Sequence, residues 1–192
     1  MPAYYRHLNI PNDPFDKQAL MDQVTDNAMG KVRMWKHWSY KDPVFKPEFH
    51  AWLESLGCYV ANAEVFHIPA GEQLVWHLDM WPPQDHVKIN FVWNAPNHTM
   101  QWGKCINPAK QIDIAWTPMN THYVAFEPEE IELVEQTKVR EENPILVNVG
   151  VPHKVINRSD VARWCLCIVP HYDKKRILFE DAVKIFSEYV VD

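Results

Sequence analysis

The feature that most constrains the fold is a train of short β-like runs between Cys58 and Pro170, each closed off by proline, glycine or asparagine. Cys58 to Ile68 reads as a strand, Pro69-Ala70-Gly71-Glu72 as a turn, Gln73 to Asp79 as a second strand, and His86 to Trp93 as a third after the Trp81-Pro82-Pro83 interruption. Weaker strand candidates follow at Thr99 to Cys105, Ala115 to Thr117 and Tyr123 to Phe126, and Ile131 to Val139 reads as strand or as loop cover. Pro144 to Asn157 and Arg163 to Pro170 are β-like again, joined through the turn residues Asn157-Arg158-Ser159-Asp160 in a way that suits a hairpin. Strands spaced about ten residues apart and separated by turn residues signal a sandwich or a barrel.

Around this β region the texture is helical. Tyr4 to Ile10 is short and β-like, and Asn12-Asp13-Pro14 turns the chain into an amphipathic helix over Phe15 to Ala28. A polar, aromatic connection carrying Trp35, Trp38 and Tyr40 leads to a second helix, opened by Pro47 and stopped by Gly57. Arg176 to Val190 reads as a closing helix whose apolar stripe, Ile177, Phe179, Ala182, Val183, Phe186 and Val190, either covers a sheet or meets a second copy in a homodimer. Two helices, about eight strands and a closing helix predict a mainly β, α+β domain built as a double-stranded β-helix, the jelly-roll barrel. One domain over 1–192 is expected: helical support at 1–57, the jelly-roll core at 58–170 and the C-terminal helix at 171–192. A chain of 192 residues with 47% hydrophobic positions can bury one such core without a second domain.

Charge and cysteine usage exclude several partner classes. A net charge of -6, with Lys174-Lys175-Arg176 as the densest basic cluster, argues against a nucleic-acid partner. No apolar run approaches the roughly 18 residues of a membrane helix, and the opening Met-Pro-Ala-Tyr-Tyr-Arg-His lacks an apolar signal core. A soluble, cytoplasmic protein is expected. Its four cysteines are too few for a disulfide framework, so Cys58, Cys105, Cys165 and Cys167 are expected as reduced thiols, the last two packed in a strand.

The chemistry concentrates in Val75-Trp76-His77-Leu78-Asp79-Met80. On a strand His77 and Asp79 leave the same face, which starts a metal site. A third ligand must come from a strand beside it in space, and His153 in a late strand is placed for that role. Two histidines and one carboxylate form the facial triad that holds non-haem Fe(II) and leaves positions open for oxygen chemistry. Arg163, heading the following run, adds a rigid guanidinium fork matched to a carboxylate. His67, His86, His98, His122 and His171 are assigned no role. Lys88, Asn90 and Val92 share one face of their strand, while Ile89, Phe91 and Trp93 pack on the other. Trp81, in the Met80-Trp81-Pro82-Pro83 loop just past the ligands, is expected to border the substrate.

Taken together, His77-Leu78-Asp79, His153 and Arg163 resemble the HxD...H...R pattern of the Fe(II)/2-oxoglutarate-dependent oxygenases, over roughly Cys58 to Pro170. The resemblance implies that His77, Asp79 and His153 bind iron, that 2-oxoglutarate chelates it, and that Arg163 anchors the distal carboxylate. It implies a dioxygenase that consumes O2, releases succinate and CO2, and hydroxylates a small molecule or peptide. Finer marks are similar to the aspartyl/asparaginyl β-hydroxylase branch, where a basic residue and a histidine two positions apart help hold 2-oxoglutarate. Lys88 and Asn90 occupy that place here. Asn90 departs from the expected histidine, Asp79 is present although that branch often lacks the carboxylate, and Cys165 stands where many relatives carry a hydroxyl. Two alternatives stay open: a cupin-type metal-dependent dioxygenase or isomerase that uses no 2-oxoglutarate, and a cupin-like jelly roll that only binds.

Overall fold

The computed structural model describes residues 4–11, 13–22, 33–38, 44–94, 96–107, 113–116 and 122–191, with the backbone alone described at 33–38. Among these residues two antiparallel sheets face one another. The larger has the order β1 (Tyr5–His7), β10 (Ile145–Asn148), β5 (Val87–Trp93), β12 (Arg163–Tyr172), β3 (Cys58–Ile68) and β2 (Arg33–Trp38), with β13 (Lys175–Arg176) paired to β12. The smaller has the order β7 (Ile114–Trp116), β8 (His122–Phe126), β4 (Trp76–Leu78), β11 (His153–Asn157), β6 (His98–Cys105) and β9 (Ile131–Thr137). Strands distant in sequence lie side by side in both, as in a jelly roll.

Period-two alternation divides the larger sheet into two chemically different faces. Trp164, Leu166 and Ile168 of β12 and Val87, Ile89, Phe91 and Trp93 of β5 belong to an outer apolar core. That core is closed by Leu20 of α1 (Lys17–Asp22), by Phe49, Trp52 and Leu53 of α2 (Pro47–Ser55), and by Phe179 and Ala182 of α3 (Phe179–Ile185) with Phe186 just beyond it. The alternate residues, Arg163, Cys165 and Cys167 of β12 with Lys88, Asn90 and Val92 of β5, look inward at the smaller sheet. Register fixes the rows: Cys167 lies opposite Glu64 and Asn90, and Cys165 opposite Phe66 and Val92. Ile68, Met100, Trp102, Val147 and Val155 complete the interior core between the sheets.

Several sequence expectations change. Pro144 to Asn157 is two strands in different sheets, because Val149-Gly150-Val151-Pro152 carries the chain from one sheet to the other. Pro152 has no amide hydrogen for a ladder, and Gly150 runs so close to the Gln84 carbonyl and Asp85 backbone that a Cβ would collide with them. The Asn157–Asp160 turn therefore joins two sheets instead of closing a hairpin, and the Asn157 amide donates to the carbonyls of Ile68, Pro69 and Val161 across the gap. The second strand shortens to Trp76–Leu78, so Asp79 is the first residue beyond it. The aromatic connection contains β2, paired with β3, and Ile131 onward is a strand. The first helix is described only over Lys17–Asp22, and residues 23–28 lie outside the described residues. The closing helix is shorter than expected, preceded by β13, and its Ile177, Phe179, Ala182 and Phe186 are buried within the same chain.

No described helix is long and apolar enough to cross a membrane. The crossing at Gly150 generates a stability prediction. Gly150→Ala must displace the Gln84–Asp85 backbone, an overpacking cost of about 1 to 3 kcal/mol, read as a lowered midpoint of thermal unfolding.

Candidate metal centre

The centre is assembled by one strand pairing. β11 runs antiparallel beside β4 with His153 directly opposite His77, and the two imidazole centroids are 4.3 Å apart. Asp79, just past β4, turns one carboxylate oxygen toward both rings: Oδ1 is 3.4 Å from His77 Nε2 and 3.6 Å from His153 Nε2. One ligand atom from each of the three residues falls within 4.8 Å of the others.

Each ring is also held in the tautomer a metal needs. Nδ1 of His77 lies 2.9 Å from the Val75 carbonyl, and Nδ1 of His153 lies 2.9 Å from the Val151 carbonyl. Only a protonated Nδ1 donates to a carbonyl, so the lone pair is left on Nε2 at the shared point. Burial pushes the His153 pKa down to about 4, with neighbouring His77 acting in the same direction. The imidazole is therefore neutral at pH 7, the form that binds a cation.

The inner face of the larger sheet supplies the charges around this point. Lys88 Nζ is 2.7 Å from Asp79 Oδ2 and 3.4 Å from Glu64 Oε2. Burial raises the Asp79 pKa, but Lys88 and the two histidines outweigh it and hold the carboxyl well below its ordinary range. Lys88, lowered by burial and raised more strongly by Asp79 and Glu64, stays charged. Glu64 is a participant that the sequence reading missed; its signal was a lone acid in the otherwise uncharged strand CYVANAEVFHI.

Arg163 is 1% exposed, and its Nε and Nη2 have no hydrogen-bond partner among the described residues. Its neighbour Cys165 lies 3.6 Å, sulfur to sulfur, from Cys167. Burial raises the Cys165 thiol, but the hydrogen bond to Cys167 and the Arg163 guanidinium outweigh that effect. All four cysteines are free thiols. Asn90 is buried on the same face, and its Oδ1 has no hydrogen-bond partner among the described residues.

Trp81 is exposed and lines a groove of about 390 Å³ with Leu78, Ala125, Val151 and Pro152, beside the ligand positions in sequence, although none of the three ligand residues lines it. His67 packs edge-on to Trp164, His122 against Trp116 and His171 against Tyr59, all outside the cluster. His86 contacts Met80, and His98 is buried opposite Asn157.

No protein-family profile matches the sequence, and no curated protein sequence matches it. Solved structures do. The non-haem α-ketoglutarate-dependent carbocyclase SnoK from nogalamycin biosynthesis superposes with a TM-score of 0.51 at 10% identity, over 88% of this chain and 80% of that one. Hazelnut (Corylus avellana) vicilin matches with a TM-score of 0.38 at 12% identity over 83% of this chain, which spans only 31% of the vicilin chain. Oxalate decarboxylase from Bacillus subtilis matches with a TM-score of 0.31 at 10% identity over 58% of this chain and 24% of that one. At such identities the likeness to SnoK is one of fold, and it agrees with the topology: a cupin-like jelly roll with a His/Asp/His cluster between its sheets.

The His153 environment sets a pH dependence of stability. Its folded pKa near 4 lies below the unfolded value near 6.5, so between these limits the unfolded chain binds the extra proton and stability falls as pH drops. Metal-free protein should lose on the order of 3 kcal/mol across this window. Urea unfolding at stepped pH measures it, and His153→Asn should make the fall shallower, with the remainder coming from His50, His86 and His171, whose pKa values burial also lowers.

Proposed function

We propose that this chain is a non-haem Fe(II)- and 2-oxoglutarate-dependent dioxygenase that hydroxylates a small molecule or a peptide and releases succinate and CO2. The observation that carries the reading is the Arg163 guanidinium. It is fully buried on the inner face of the larger sheet, and two of its nitrogens lack a partner among the described residues. A buried cation left this way costs several kcal/mol, and a carboxylate from a bound co-substrate satisfies it with a bidentate, charge-assisted pair. A carboxylate co-substrate accounts for this group, whereas a jelly roll that binds no acid leaves it unexplained, which supports this reading.

The donor chemistry fits the ion. Two imidazoles with Nε2 free and one carboxylate oxygen are a facial ligand set suited to Fe(II), and among the described residues no cysteine joins the cluster to favour zinc. His77, Asp79 and His153 would hold the metal, and Arg163 the distal carboxylate of 2-oxoglutarate. When bound, the iron and its 2-oxo acid supply the oxidising power, since no side chain here oxidises a C–H bond.

The protein's own part is positional. The Val75 and Val151 carbonyls orient the two rings, and Lys88 keeps Asp79 ionised. The apolar side chains of Met100, Trp102, Val147 and Val155 keep bulk water from the interior. Tyr123, whose ring stands edge-on to His77 at 6.3 Å, and Ala125, exposed opposite His77, flank the open side where a substrate would approach.

The test is anaerobic addition of Fe(II) and 2-oxoglutarate to the purified chain, which should develop the visible charge-transfer band of the chelate. His77→Ala and Asp79→Ala should abolish Fe(II)-dependent formation of succinate while the far-ultraviolet circular dichroism stays native. Arg163→Ala should retain metal uptake but weaken 2-oxoglutarate binding by about 2 to 5 kcal/mol. An unchanged 2-oxoglutarate affinity in that variant removes Arg163 from the co-substrate site.

A further inference from the structure

We propose that Lys88, braced by Glu64, is a positioning residue that occupies the outer oxygen of Asp79 and restricts this carboxylate to binding a metal through one oxygen. The inference rests on the metal reading above and adds a role for two residues outside the ligand set.

The geometry divides the Asp79 carboxylate into two halves. Oδ1 faces the imidazole nitrogens, at 3.4 and 3.6 Å. Oδ2 faces away from them into the Lys88 ammonium at 2.7 Å, a short charge-assisted contact in a buried setting. Lys88 is only 8% exposed, with Phe66 beneath its ammonium at 6.0 Å, so water has little access to that bond. Glu64 Oε2, 3.4 Å from the same ammonium, gives it a second carboxylate partner.

Denticity then decides what the centre can do. A six-coordinate ion bound by two imidazoles and one carboxylate oxygen keeps three positions open, enough for a chelating 2-oxo acid and for dioxygen. A carboxylate binding through both oxygens removes one of them. A positively charged partner on Oδ2 prevents that rotation, because an ammonium and a metal cation cannot share the same oxygen at low cost.

The experiment uses the full chain loaded with Co(II), with carbon-13 labelled aspartate carboxyls read by infrared difference spectroscopy. The gap between antisymmetric and symmetric carboxylate stretches is wide for one-oxygen binding and narrow for two-oxygen binding. Wild type should show the wide gap. Lys88→Met combined with Glu64→Gln, which removes the Glu64 charge together with the ammonium it contacts, should still take up Co(II), show the narrow gap and bind 2-oxoglutarate about 10- to 100-fold more weakly. Lys88→Arg should restore the wide gap. A narrow gap in wild type overturns the proposal without recourse to any variant, as do a wide gap and unchanged 2-oxoglutarate affinity in the double variant. Wild type that takes up no Co(II) overturns the metal reading itself, and the role of Lys88 with it.

Discussion

Antiparallel pairing of β11 with β4 is the contact on which the rest of the centre depends. It sets His153 opposite His77, and it exists only because the chain leaves the larger sheet after Asn148 and enters the smaller one at His153. A proline without an amide hydrogen and a glycine pressed against the Gln84 carbonyl make that crossing. Once the strands are paired, the backbone finishes the work. Each histidine presents Nδ1 to the carbonyl two residues before it, so two strands running in opposite directions offer their Nε2 lone pairs to one point.

The larger sheet serves as both foundation and lining. Its outer face is apolar and covered by helices, a burial that supplies most of the favourable free energy. Its inner face carries Glu64, Lys88, Asn90 and Arg163, all nearly inaccessible to water. Burying charges works against folding unless they are paired. Glu64, Lys88 and Asp79 pair with one another in a chain, but among the described residues Arg163 Nε and Nη2 find no partner. The stability of one face allows the other to hold groups in an arrangement suited to binding instead of to packing.

Much of this is legible in the residues. Alternation in Val87–Trp93 and Arg163–Tyr172 separates the packing residues from the lining ones, because side chains on a strand alternate faces whatever the tertiary context. It is why Lys88 and Asn90 are found inside and Ile89 and Phe91 outside. Other features were hidden for equally physical reasons. Pro144–Asn157 reads as one apolar β run because strands of both sheets draw on the same residue types. Only the long-range partners of its two halves, β5 and β4, show that it is two strands. Glu64 carries no local signal of a role, because its partner Lys88 comes from another strand. Trp81 is close to His77 and Asp79 in sequence, and only the fold shows which residues share its groove, Leu78, Ala125 and Pro152 among them.

The sequence by itself determined the β-rich class, the inward and outward face of each long strand, and the residue types able to hold a metal, since local periodicity and donor chemistry need no knowledge of distant contacts. Tertiary structure alone decided which strands became neighbours. It brought His77, Asp79 and His153 within reach of one another, turned Lys88 to Asp79 and buried Arg163, because those outcomes depend on the register between segments far apart in the chain.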